Sequence, residues 1–238
     1  MNEDAGRAWV QRSVLADQVY KEILAQLMDG KLESGDPLSI DGTARELGVS
    51  PTPVREALAR LESTGLVVRA ALRGYRVAPM LSYAELMDLM AARLLIEPHN
   101  AEIACTRAEE SFLRELEESI ADLRQAPNGP QFSDYRSYWE ADERFHRLIA
   151  ERTGNKFLVA AYDSLGGHVH RFRLFGGTGV GDARSAIEEH TLILEAMRRG
   201  NPAAAREAMA AHIGGVRARA AREAELTAPR TQEARPVP

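Results

Sequence analysis

The chain has one cysteine, Cys105. No internal disulfide framework can form, and so little thiol fits a reducing cytoplasm. Long apolar runs are missing too: nothing approaches the ~20 residues that span a bilayer. Residues 1–12 are polar and acidic, without the apolar centre of a signal peptide, and read as a loose arm. Positive charge is not in excess either. A formal net charge of -5 argues against wholesale coating of nucleic acid. It leaves room for a local cationic surface, because arginines outnumber acids between Arg45 and Arg76. No internal repeat is visible. The glycine-rich run GGTGVG at 176–181 lacks the preceding strand and the Lys-Ser/Thr ending of a phosphate loop, and reads as a connector. What remains is a chain of 238 residues, 45% hydrophobic, with material for one large domain or two modest ones.

The stretch LSIDGTARELGVSPTPVREALARLESTGL, residues 38–66, organises the N-terminal part. Ile40, Ala44 and Leu47 share one face of a short helix, and Gly48 follows where a left-handed C-cap belongs. Ser50 is placed as the N-cap of a second helix. Pro51 and Pro53 then fall at its first and third positions, where the missing N–H removes no intrahelical bond. Val54, Ala57, Leu58 and Leu61 form the buried stripe, while Thr52 and Arg55 lie on another face. Such a pair suits DNA reading: the N-terminal part of the second helix enters the major groove, where arginine can meet guanine or phosphate. An ordinary helical hairpin with a solvated arginine is the competing reading. After the pair, residues 66–69 and 75–77 read as two short strands around a turn at 70–74, with Arg69, Arg73 and Arg76 on or near them. That is the layout of a winged helix.

These residues carry a family resemblance. LGVSPTPVREALARLESTGLV followed by RGYRVAP resembles the DNA-binding domain of GntR-type bacterial transcription regulators, over residues 14–79. The resemblance implies that Ser50, Thr52, Arg55, Arg73 and Gly74 meet operator DNA, and Arg45 on the preceding helix is a candidate phosphate contact. Many members have arginine between the Ser and the Thr, where this chain has Pro51. One contact is therefore missing, and the operator is expected to depart from the usual family site.

Residues 15–27 mark an amphipathic first helix of this domain, ending near Gly30, and residues 31–37 a turn. From Ser82 onward strand-like runs vanish. Helices are expected over 82–106, interrupted or kinked at Pro98, then 109–125, 135–152, 157–172, 182–199 and 202–225. The fold class is thus mainly α: a winged helix-turn-helix over 13–79 and an all-helical six-helix bundle over 80–225. Residues 226–238 read as a disordered tail.

Four bundle residues carry chemistry. Asp142 and His146 are i, i+4 on the third bundle helix, and His190 and His212 lie mid-way along the fifth and sixth. Three imidazoles and a carboxylate can close around one divalent ion, with Zn or Ni expected and Mn or Fe compatible with the carboxylate. Histidines that are merely partnered or solvated are the competing reading, and a metal-dependent hydrolase or lyase is the rival function. The runs around residues 91–104, DERFH at 142–146, EH at 189–190 and AHI at 211–213 resemble the FCD effector domain of the FadR branch of the same family; the helix count is similar to its VanR-like subgroup. In many members the matching Asp and three His bind a metal in the bundle cavity.

Arg93 is a candidate clamp for an effector carboxylate, or else an i, i+4 partner of Glu97. Arg171 and Arg173 are weaker candidates. His168 and His170 point to different sides, His99 reads as surface, and Trp139 as core or cavity wall. Together the resemblances imply a cytoplasmic, homodimeric DNA-binding regulator, a repressor relieved by a small organic acid, and not an enzyme.

Overall fold

The computed structural model describes residues 3–70, 74–79, 81–127, 132–173 and 183–227. The N-terminal unit runs α1 (Glu3–Met28), β1 (Pro37–Leu38), α2 (Ile40–Leu47), α3 (Pro51–Ser63), β2 (Val67–Ala70) and β3 (Gly74–Val77). Helix α1 begins at Glu3, so most of the stretch read as a loose arm is helical backbone.

The α2–α3 turn follows the local chemistry. Ser39 caps α2 by accepting from the Gly42 N–H at 2.9 Å. Gly48 ends that helix at φ 66°, a left-handed conformation that glycine adopts without the Cβ penalty. Ser50 starts α3, but its side chain makes no capping bond. A cap hydroxyl bonds the N–H of the second or third helical residue, and the third here is Pro53, which has none. Val54, Ala57, Leu58 and Leu61 are buried as their spacing requires.

The wing is a three-stranded antiparallel sheet in the order β1-β3-β2, with Leu38 opposite Tyr75 and Val68 opposite Arg76. Strand β1 corrects the sequence reading, which placed a turn there. It is two residues long and gives no alternation to detect. Gly74 holds φ 83°, and a Cβ on it would stand 3.1 Å from the Leu38 carbonyl oxygen, so glycine lets β3 approach β1.

The C-terminal unit consists of α4 (Tyr83–Thr106), α5 (Glu110–Gln125), α6 (Phe132–Arg152), α7 (Lys156–Arg173), α8 (Ala183–Arg198) and α9 (Pro202–Thr227). Ser82 and Glu85 close a reciprocal capping box at the start of α4. Helix α4 continues through Pro98, where the sequence suggested an interruption. The proline is buried, so its ring contributes to packing where its missing N–H costs a backbone bond. Helix α4 packs against α9, α6 and α7. A dry core of α4, α5, α6, α8 and α9 residues, among them Leu116, Phe145, Ile149, Ile193 and Ile213, fills one part of the bundle. A separate core joins α1, α2, α3 and the sheet, and takes in Tyr135 and Trp139 from α6. No helix among the described residues is long and apolar enough to cross a membrane. The expected glycine-rich connector at 176–181 and most of the expected tail lie outside the described residues.

Candidate metal centre and DNA-reading face

Three bundle helices each bring one buried histidine to a common point. His146 comes from α6, His190 from α8 and His212 from α9, none more than 3% exposed. Their Nε2 atoms form a near-equilateral triangle: 3.3 Å between His146 and His190, 3.3 Å between His190 and His212, 3.2 Å between His212 and His146. The Phe145 ring stacks on His190 at 4.2 Å between centroids and fixes its plane. Asp142, one turn before His146, places Oδ1 3.7 Å from His190 Nε2. The three imidazoles form one mutually close ligand group, and Asp142 stands at its edge.

The outward-facing nitrogens decide what the triangle can do. Glu97 Oε2 lies 2.6 Å from His146 Nδ1, and Glu189 Oε2 lies 2.7 Å from His212 Nδ1. An ionised carboxylate only accepts, so each Nδ1 carries a proton, and in the neutral imidazole each Nε2 then turns a lone pair inward. Two lone pairs 3.2 Å apart repel unless a cation lies between them. This donor set fits a divalent metal ion, with carboxylates behind two imidazoles setting tautomer and orientation.

Both carboxylates are themselves neutralised. Arg93 Nε donates to Glu97 Oε1 at 2.5 Å, and Arg219 grips Glu189 through Nη1 and Nη2 at 2.8 and 3.0 Å. Burial alone would raise the Glu97 carboxyl, but Arg93 and then His146 outweigh it and hold it well below the usual range. Burial likewise opposes ionisation of Glu189, and hydrogen bonds from His212 and Arg219 bring it down to about 2. The His212 imidazole is pushed down, by burial first, with the Glu189 bond opposing. Next to Arg93, the Tyr162 hydroxyl is raised well above its ordinary value by burial and by Glu97.

Arg93 therefore forms the i, i+4 pair, at 5% exposure. Its Nε is committed to Glu97. Removing Arg93 would strand Glu97 as an uncompensated buried charge, a loss on the order of 3–5 kcal/mol. Glu189 and Arg219 were not singled out by spacing: they sit on different helices, and the one available signal was that Glu189 adjoins His190. His99 is exposed and 3.7 Å from Glu102. The side chains of His168, His170, Arg171 and Arg173 lie outside the described residues.

On the N-terminal unit, Arg45, Ser50, Thr52 and Arg55 are all exposed, on α2, the turn and the first turns of α3. Arg45 Nε donates to its own helix, at the Asp41 carbonyl, 3.3 Å away. Two wing arginines are engaged internally: Arg69 with the Tyr75 hydroxyl at 3.1 Å and Arg76 with the Gly35 carbonyl at 2.8 Å. Arg73 lies outside the described residues, and Gly74 begins β3.

Comparison with known proteins bears on both units. Residues 15–77 match the model for bacterial regulatory proteins of the gntR family, and residues 88–215 match the FCD domain. The chain is 28% identical over 210 residues to the "Probable D-xylose utilization operon transcriptional repressor" of Paenarthrobacter nicotinovorans, covering 88% of this chain and 90% of that protein. It is 26% identical over 196 residues to the "HTH-type transcriptional repressor RspR" of Escherichia coli, covering 82% and 84%. Among solved structures it is similar to E. coli McbR/YncC, with TM-score 0.71 and 25% identity, covering 88% of this chain and 98% of that one.

Proposed function

The chain belongs to the GntR family of bacterial transcription regulators and carries an FCD domain, and from that premise we propose that it is a homodimeric, cytoplasmic repressor whose grip on its operator is set by a small organic acid bound beside a metal ion in the bundle. Its matched domains and relatives are transcription regulators, not enzymes. The observation that carries the effector half is the inward convergence of three Nε2 atoms, with the Nδ1 atoms of His146 and His212 directed at carboxylates.

Charge bookkeeping gives the ligand class. Arg93 cancels Glu97, Arg219 cancels Glu189, and the imidazoles are neutral, which leaves Asp142. A divalent ion held by His146, His190 and His212, with Asp142 alongside, leaves one positive charge in a buried place. Buried charge calls for a partner, and a carboxylate supplies it. The bound ion would anchor that carboxylate as a Lewis acid. The donor set, mostly imidazole, suits Zn or Ni, with Mn or Fe accommodated through Asp142. The Nη edge of Arg93 is the second anchor for the same anion.

On the DNA side, Thr52 and Arg55 read base edges from α3, while Arg45, Ser50, Arg73 and Gly74 hold phosphates or the groove edge. The reading rests on the exposure of Arg45, Ser50, Thr52 and Arg55 and on the helix-turn-helix geometry. Ser50 lacks an intrahelical bond, so its hydroxyl is available to DNA.

Metal content and thermal stability, measured with and without chelator, test the site. One ion per chain is expected in the wild type, with a lower Tm after chelation, and loss of both the ion and the chelation effect in His190→Ala. Absence of metal from protein purified and then offered Zn or Ni would overturn the metal reading.

A further inference from the structure

One stripe of α6 serves both units. Tyr135, Trp139, Asp142 and His146 are spaced i, i+4, i+7 and i+11, which sets them on the same side of one helix. Asp142 and His146 face the imidazole site. Tyr135 and Trp139, 6% and 7% exposed, belong instead to the core built by α1, α2, α3 and the sheet. Helix α6 is continuous over Phe132–Arg152, so the two halves of the stripe are joined without a loop or break. Trp139 lies three residues, roughly 4.5 Å along the axis, from Asp142.

A second contact lies along the same route. Arg60, on the DNA-reading helix α3, sits over the Tyr20 ring at 4.4 Å and pairs with Asp17, both on α1. Helix α1 also packs against α6. Helix α1 is thus held between α3 and α6.

We propose that α6 couples the imidazole site to the reading head, with Trp139 as the residue that transmits a shift of Asp142 and His146 into the α1–α3 core. The coupling rests on the site reading given above and adds its route. Occupancy draws Asp142 and His146 toward the common point, and α6 moves as a rod. Close-packed cores accommodate such a shift by changing arrangement rather than by yielding smoothly. Coupling of this kind is reciprocal, so operator binding changes metal affinity by the same factor.

The chain has two tryptophans, so Trp9→Phe leaves Trp139 as the sole one. Zn is titrated into this full-length protein while emission and bound metal are followed together. The expected result is a change in Trp139 emission that saturates with the bound ion and is lost when His190→Ala is added. A second arm uses Trp139→Leu and a duplex selected from random sequence by the wild type. Zn should shift wild-type affinity for that duplex by about fivefold or more. In Trp139→Leu the metal stoichiometry should hold while the shift falls below about twofold. Zn bound at one per chain with unchanged Trp139 emission overturns the coupling and leaves the site reading intact. Failure to bind Zn at all overturns the site reading and the coupling with it. If Trp139→Leu does not fold, the emission arm decides alone.

Discussion

Gly215 sits inside α9, where glycine costs about 0.5–1 kcal/mol relative to alanine. A Cβ there would stand 2.8 Å from Glu189 Oε1 and 2.9 Å from Arg219 Nη1, so the glycine makes room for the ion pair behind His212. Both neighbours are the ends of flexible side chains and can retreat. Gly215→Ala is therefore expected to keep or raise the Tm of the chelated protein while loosening the orientation of His212. Zn affinity should fall by about tenfold, the lower end of what support behind a ligand is worth. Competition titration against a chromophoric chelator, beside thermal melts, separates the two effects. Unchanged affinity would remove Glu189 from the site. His212 makes a pH prediction. Its folded pKa lies below the ordinary 6.5, so the folded chain binds fewer protons there than the unfolded one. Stability contributed by that difference is full above the unfolded value and lost as pH falls through 6.5 toward the depressed folded value. Glu189, held to about 2, stays ionised across that window and adds no slope. Melts of chelated protein should thus drop in Tm as pH falls through 6.5, and His212→Gln should flatten the curve.

At the scale of elements, sequence periodicity went far and then stopped at predictable places. The six bundle helices, the α2–α3 pair and the hairpin β2–β3 were legible because each spans enough residues to repeat its pattern. Strand β1 was not, being two residues long. The Asp142–His146 spacing was legible within one helix. That His190 and His212 join it depended on how α6, α8 and α9 pack; their residue types suggested the quartet, and the family resemblance strengthened it. The ion pairs behind the imidazoles were half legible: Arg93–Glu97 is an i, i+4 pair, whereas Glu189–Arg219 crosses between helices. Trp139 was legible as a buried residue but not as to which core it joins. Its stripe continues into Asp142 and His146, and periodicity cannot tell that neighbouring turns of one face meet different units. Ser50 shows the reverse limit. Its identity and position announce an N-cap, and Pro53 three residues on withholds the partner.

For the whole molecule, the contacts of Tyr135 and Trp139 with the α1–α3 core mean that each reading head is seated on its own bundle rather than hung on a free linker. In a dimer built through the bundles, the two α3 helices then keep a set separation. Such a dimer should select a near-palindrome whose half-sites lie about one DNA turn, roughly 34 Å, or a multiple apart. Inserting half a turn, roughly 5 bp, at the centre turns one half-site to the far side of the duplex, and affinity should fall at least about tenfold, the scale of a lost specific contact. Inserting a full turn restores the face and recovers part of the loss, limited by how far the seated heads can separate. Arg55→Ala should weaken every spacing alike, because it removes a contact within each half-site without altering the distance between them. Gel-shift titrations at fixed salt read all of these, since phosphate contacts make absolute affinities salt-dependent. Indifference to the half-turn insertion would mean that the heads move independently, and the seat at Trp139 would then have no hold on DNA geometry.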